Sequence, residues 1–169
     1  MKGIGAVFCV AAFLLSGGAY ISNEKKKMRA YYGISDAFML MKSELRSTLT
    51  PLPALTERVL SGSEGCVKSF FQNVLNGFES IGKKDFSLIW NEAAEESFEW
   101  LSPEQYRMLC FPGSVLGKSV SETQTEALES AALFFRAEAE RKKEKMPGIR
   151  KLAIGLSFCA GLLTVITLC

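Results

Sequence analysis

The chain carries 20 basic and 18 acidic residues, and 37 of these 38 lie between Ser22 and Lys151, with Lys2 the exception. Both ends are therefore almost charge-free: residues 4–21 (IGAVFCVAAFLLSGGAYI) and 152–169 (LAIGLSFCAGLLTVITLC) are 18 residues each without a charge. Coiled as helices they would extend about 27 Å at ~1.5 Å per residue, close to the ~30 Å hydrocarbon core of a bilayer. The patterning predicts transmembrane helices within residues 1–21 and 152–169 around a water-soluble segment, residues 22–151.

The charges beside these ends give an expected orientation. Lys25, Lys26, Lys27 and Arg29 follow the first apolar stretch, and Arg141, Lys142, Lys143, Lys145, Arg150 and Lys151 precede the second. Basic flanks stay on the cytoplasmic side, so the central segment is expected in the cytoplasm and both termini outside. A cleaved leader is the alternative for the first stretch, since Lys2 supplies a basic n-region and Ser16, Gly17, Gly18 and Ala19 are small residues near a cleavage position. The length of the run and the basic stop behind it favour an anchor, and the sequence leaves cleavage open. Small residues at spacings of three and four (Gly5, Cys9, Ala12, Ser16, Ala19; Ala153, Ser157, Gly161) let helix backbones approach closely, so the spans can pack on each other, on a partner or on further copies of the chain.

Between the two stretches the apolar residues recur with a helical rather than an alternating period. Tyr31, Ile34, Phe38, Met41 and Leu45 form one stripe, which ends at Thr50-Pro51-Leu52-Pro53 because prolines remove amide donors and bias their predecessors away from the helix. A short helix is expected over 54–60 and a third over 66–78 with Val67, Phe70, Phe71, Val74, Leu75 and Phe78 inward. A fourth, over 85–100, points Leu88, Ile89, Trp90, Ala93, Ala94 and Phe98 inward. Ser102-Pro103-Glu104-Gln105 reads as a capping box with proline at the first helical position, opening a fifth helix that ends near Pro112-Gly113. The last helix opens at Ser119 or Ser121 and buries Gln124, Leu128, Ala131, Ala132, Phe135 and Ala139, with a break expected at Met146-Pro147-Gly148. The expected fold is all-α: a bundle of about six helices flanked by two transmembrane helices.

Several chemistries are excluded or disfavoured. The chain has no histidine, which removes the imidazole that Ser-His-Asp and Cys-His catalysis and most catalytic zinc sites require. Its five cysteines (Cys9, Cys66, Cys110, Cys159, Cys169) form no C-x-x-C pair and no disulfide framework, and read as small hydrophobes or buried thiols. The central segment has 19 basic and 18 acidic residues, no footprint for a nucleic acid. Gly77 to Lys84 resembles a phosphate loop but has Lys84 where Ser or Thr is needed; Gly113 to Ser119 is one residue short, and neither follows a strand. Glu92, Glu95, Glu96 and Glu99 share a helical face that reads as solvated, and Trp90 and Trp100 read as packing residues. No cofactor, metal site or enzymatic activity is expected.

The run Lys42-Ser43-Glu44-Leu45, then Thr50-Pro51-Leu52-Pro53 with Leu55, then Val115-Leu116-Gly117-Lys118-Ser119 with Gln124, and the tail from Gly155 to Leu168, resembles the stage III sporulation protein AB family over the whole chain. Its most specific pieces are the turn residues Pro51 and Leu52 and the turn Leu116-Gly117-x-Ser119. Prolines fix a sharp interhelix turn, Gly117 permits a positive φ, and Ser119 caps the following helix. The family usually follows that serine with aspartate, where this chain has Val120, and Pro112 interrupts a position that is helical in relatives.

The family is similar to the cytoplasmic F domains of type II secretion and type IV pilus platform proteins, which are six-helix bundles. The resemblance implies a component of the mother-cell membrane in the channel complex between mother cell and forespore, with other channel subunits as partners and a secretion-type ATPase, stage III sporulation protein AA, docked from the cytoplasm. Expected partner-binding residues are Glu44, Lys118 and Gln124 together with the basic rims Lys25, Lys26 and Lys27 and Arg141, Lys142, Lys143 and Lys145. For the rims, attraction to anionic membrane lipid is the competing role; Glu44 and Gln124 compete as satisfied polar groups of the bundle. Two rival functions remain: a small two-span oligomeric pore, disfavoured because the spans offer only Ser16, Tyr20, Ser157, Thr164 and Thr167 as polar side chains, and a secreted helical domain released by leader cleavage.

Overall fold

The computed structural model describes the backbone of residues 2–47, 50–118 and 121–168, and the side chains of 18–47, 50–118, 121–148, 151 and 155. Six α-helices follow one another: α1 Lys2–Ser47, α2 Leu52–Ser61, α3 Gly65–Gly77, α4 Phe86–Ser97, α5 Pro103–Val115 and α6 Ser121–Leu168, with a 3-10 turn at Phe78–Ser80. Among the described residues the connections are turns and short irregular segments, with an isolated bridge between Ile81 and Lys84. The chain divides into two units, one of residues 30–138 and the other of residues 1–29 with 139–169, and α1 and α6 contribute to both.

The stripe on α1 buries as its spacing requires: Tyr31, Ile34, Phe38 and Met41 are almost wholly inaccessible, with Ala30 and Ala37 beside them. Pro51 stands before the first residue of α2, with extended ψ, and Pro53 occupies the first turn, where its missing donor interrupts no intrahelical bond. The α5 capping box forms in full. The Gln105 amide donates to Ser102 Oγ at 3.3 Å and the Ser102 amide donates to Gln105 Oε1 at 3.1 Å.

Within the 30–138 unit, α2 packs on α3, α3 on α4 and α4 on α5 around Trp90. The indole is ringed by Phe70 at 4.9 Å, Phe86 at 5.7 Å and Phe38 and Phe71 at 6.1 Å between centroids, and its Nε1 donates to the Leu109 carbonyl at 2.9 Å. A β-carbon on Gly113 would lie 2.3 Å from Trp90 Cγ, so the α5 backbone can approach the indole only because this residue has no side chain. At the other end of α5, Gln105 joins three helices: Tyr31 of α1 donates its hydroxyl to Oε1 at 3.1 Å, and Nε2 donates to Glu138 of α6 at 2.6 Å.

Five expectations are corrected. The α5 helix runs through Pro112 to Val115 rather than ending near Pro112-Gly113, and α6 runs through Pro147 rather than breaking there. A proline removes one amide donor and crowds one carbonyl, a local loss that favourable turns on either side can outweigh. The α4 helix stops at Ser97, with Phe98 capping it, and Leu88, expected inward, is exposed. The bundle helices at 31–45 and 121–145 are not separate elements but parts of α1 and α6, which continue into the two apolar stretches. Among the described residues no helix is long and apolar enough to cross a membrane. The side chains of residues 4–17 and almost all of those in 152–169, on which the transmembrane expectation rests, lie outside the described residues.

Candidate functional site

In the 30–138 unit three connections meet at the end where α1 stops and α6 starts: α1 to α2, the 3-10 turn to α4, and α5 to α6. The two turn motifs singled out in the sequence, Pro51-Leu52 and Leu116-Gly117, are neighbours here. Leu116 is completely buried, Gly117 has φ +76°, and a β-carbon on Gly117 would lie 3.2 Å from Leu52 Cδ1. The positive φ places the Gly117 backbone in the left-handed region, which a side chain disfavours by roughly 1–2 kcal/mol. Pro51 is exposed at the edge of this contact. Ser119, expected to cap α6, lies outside the described residues, and α6 opens at Ser121.

Lys118 continues from this turn into solvent, where its Nζ pairs with Asp85 Oδ2 at 2.8 Å, both side chains being mostly exposed. Asp85 immediately precedes α4, and its carbonyl accepts from the Leu88 amide at 2.9 Å. Next to it Lys84 reaches both carboxylate oxygens of Glu92 at 2.7 Å, while Lys83 and Ile81 are exposed. This end therefore presents backbone turns, one apolar side chain and several accessible charges. Nothing in the sequence joined Asp85 to Lys118, since the two are 33 positions apart.

The other expected partner residues are not at this cluster. Glu44 is turned inward, its side chain 13% accessible, and binds Arg58 at 2.9 Å, tying α1 to α2. Gln124 is half-buried on α6 and makes an interaction of its own. In the other unit Lys142 pairs with Glu24 of α1 at 2.7 Å and Lys27 reaches the same carboxyl group at 3.8 Å. Lys143 lies 3.4 Å from Glu140, and Arg141, Lys145, Lys25 and Lys26 are exposed. Glu24, an acidic residue inside a basic run, was the overlooked signal for this clasp.

The carboxylates of Glu92, Glu95, Glu96 and Glu99 all face solvent, Glu92 engaged by Lys84 and Glu96 by Asn73 at 2.9 Å. Among the described residues no cluster of acidic or thiol groups could hold a metal ion. Burial pushes the Cys66 and Cys110 thiols above their ordinary 9.0, and burial together with a hydrogen bond to Cys110 pushes Tyr106 up to about 12. Thiols so shifted are poor nucleophiles at neutral pH. Of the two phosphate-loop-like segments, Gly77 ends α3 and Gly113 is sealed beneath Trp90, so neither glycine opens onto a cradle.

Fold and site together define an all-α bundle protein whose distinguishing local features are interhelix turns and surface charge rather than a cleft. The family described as stage III sporulation protein AB matches residues 2–169, and the chain belongs to that family, which gives it a role in sporulation. A solved structure described as stage III sporulation protein AB superposes with a TM-score of 0.63 at 16% identity, covering 72% of this chain and 96% of that one, which shows the shared fold. No curated protein sequence matches the chain.

Proposed function

We propose that this protein is a non-enzymatic platform of the sporulation channel complex, anchored in the mother-cell membrane by helices within residues 1–21 and 152–169. Its bundle faces the cytoplasm, both termini lie outside, and the turn-lined end of the bundle docks the secretion-type ATPase, stage III sporulation protein AA. The anchoring follows from two charge-free 18-residue stretches with their basic clusters on the central side. The exposed lysines and arginines of those clusters also suit them to anionic lipid.

The observation that carries the docking proposal is the meeting of the Pro51-Leu52 and Leu116-Gly117 turns beside the exposed Lys118–Asp85 pair. Core packing explains the burial of Leu116; it does not explain a charged, accessible turn. Glu44, with most of its side chain covered by Arg58 and α2, supports the shape of this region rather than offering a free carboxylate. The test is co-purification of the ATPase with the full-length chain from membranes. Reversing Lys118 and Asp85 individually (Lys118→Glu, Asp85→Lys) should lower ATPase recovery while the chain stays in the membrane fraction. Undiminished recovery with both variants would sink this docking surface.

A further inference from the structure

The outer face shared by α1 and α6 exposes apolar side chains, two ion pairs that join the helices, and two charges, Arg46 and Glu126, outside those pairs. On α1 the residues at spacings three and four that avoid the core are Asp36, Met39, Ser43 and Arg46; on α6 they are Glu126, Glu129, Leu133 and Arg136. Leu133 is 61% exposed and Met39 43%. Two ion pairs across the face fix the heights of the two stripes: Asp36 with Arg136 at 3.4 Å and Lys42 with Glu129 at 2.6 Å. Met39 and Leu133 lie between those pairs. One turn further, Arg46 comes level with Glu126, and neither has an ion-pair partner among the described residues. Met39, Lys42, Ser43, Arg46 and Ser47 line a shallow groove, left open because two of the five side chains are serines.

At three heights the α1 stripe and the α6 stripe carry opposite charge or matching apolarity. Asp36 stands against Arg136, Met39 against Leu133, and Arg46 against Glu126. A two-fold axis parallel to the helices keeps each residue at its height and exchanges α1 of one copy with α6 of the other. The face is thus self-complementary under that rotation, as an isologous interface must be. An intervening three-and-four spacing on both helices is also that of a narrow antiparallel helix seam.

We propose that the α1–α6 outer face binds a second copy of this chain. Leu133 of one copy packs against Met39 of the other, and Glu126 enters the groove between Ser43, Ser47 and Arg46 of its partner, exchanging water for a guanidinium. This surface runs along the sides of α1 and α6 and reaches their turn-lined end at Arg46, Ser47 and Glu126. Nothing in it depends on the membrane anchoring or on the ATPase.

The test is the protein mass of the full-length chain in detergent or nanodiscs, by light scattering across a concentration series, with helicity by circular dichroism as the fold control. The wild type should contain two copies per particle and Leu133→Asp one, with helicity unchanged. Arg46→Glu and Glu126→Arg should each weaken self-association by about tenfold or more, from like charges brought together, and the double variant should recover it. If Leu133→Asp loses helicity, the charge exchange decides, because both positions are on the surface. A wild type of one copy at all concentrations, as expected if a different protein covers this face, overturns the proposal. A dimer indifferent to both Leu133→Asp and the charge reversals overturns it as well, placing self-association elsewhere.

Discussion

Around Trp90 the bundle is closed by rings and by a glycine whose missing side chain lets α5 approach the indole; at the end where α1 meets α2 and α5 meets α6 it is closed by turns and by ion pairs in water. In the first region four aromatic side chains and one buried hydrogen bond act on the same indole. In the second, Lys118 and Asp85 share a single exposed contact. Apolar burial and close packing scale with the area removed from water, whereas solvent and salt weaken a surface pair. Substitutions in the two regions should consequently separate stability from recruitment.

The largest effect is expected for Trp90→Ala, which empties the centre of the aromatic cluster and leaves the Leu109 carbonyl without its indole donor; unfolding by denaturant should show a loss of about 3–5 kcal/mol. Gly113→Ala adds one methyl against the same ring and should lower stability by about 1–3 kcal/mol, or more if the α5 backbone cannot retreat. A neutral Gly113→Ala would mean the approach of α5 to Trp90 is looser than the structure gives. Gly117→Ala, at a positive φ and against Leu52, should lose about 1–2 kcal/mol and loosen the turn, testing whether the proposed docking depends on backbone shape.

Lys118→Ala should change stability by at most about 1 kcal/mol while reducing ATPase recovery, the reverse of the pattern at Trp90. If it unfolds the bundle instead, the contrast between the two regions fails. At neutral pH the smallest effect is that of the half-buried thiols and Tyr106. Their protonated forms are favoured by folding, so their contribution is complete below the ordinary thiol value of 9.0 and should be lost as pH rises through the folded-state values, to about 12 for Tyr106. An alkaline unfolding series with Cys110→Ser as comparison measures it.

Much of this architecture was legible beforehand because helical burial is periodic. The Tyr31, Ile34, Phe38, Met41 stripe, the inward face of α3 and that of α6 needed only the 3.6-residue repeat, and the Ser102 capping box needed only four consecutive residues. Pro112 and Pro147 were misread because a local rule weighs the lost hydrogen bond but not the neighbouring turns that keep the helix intact. Leu88 was misread because one exposed position at the edge of an apolar face does not disturb the period. The turns at Pro51-Leu52 and Leu116-Gly117 stood out one at a time, and their contact did not, since no local pattern encodes which loops meet.

Read along the chain, the residues establish where the capped helices open, which face of each helix is apolar, that histidine-dependent chemistry is absent, and that the charges are confined to the middle of the chain. These are properties of neighbours along the chain, governed by backbone donors, side-chain period and solvation. Tertiary structure alone decided that Gly113 must admit Trp90, that Leu52 lies against Gly117, that Lys118 finds Asp85 and Lys142 finds Glu24, and that Met39 and Leu133 remain in water between two ion pairs. Each of those facts joins residues distant in sequence, and only the packing of helices fixes such distances.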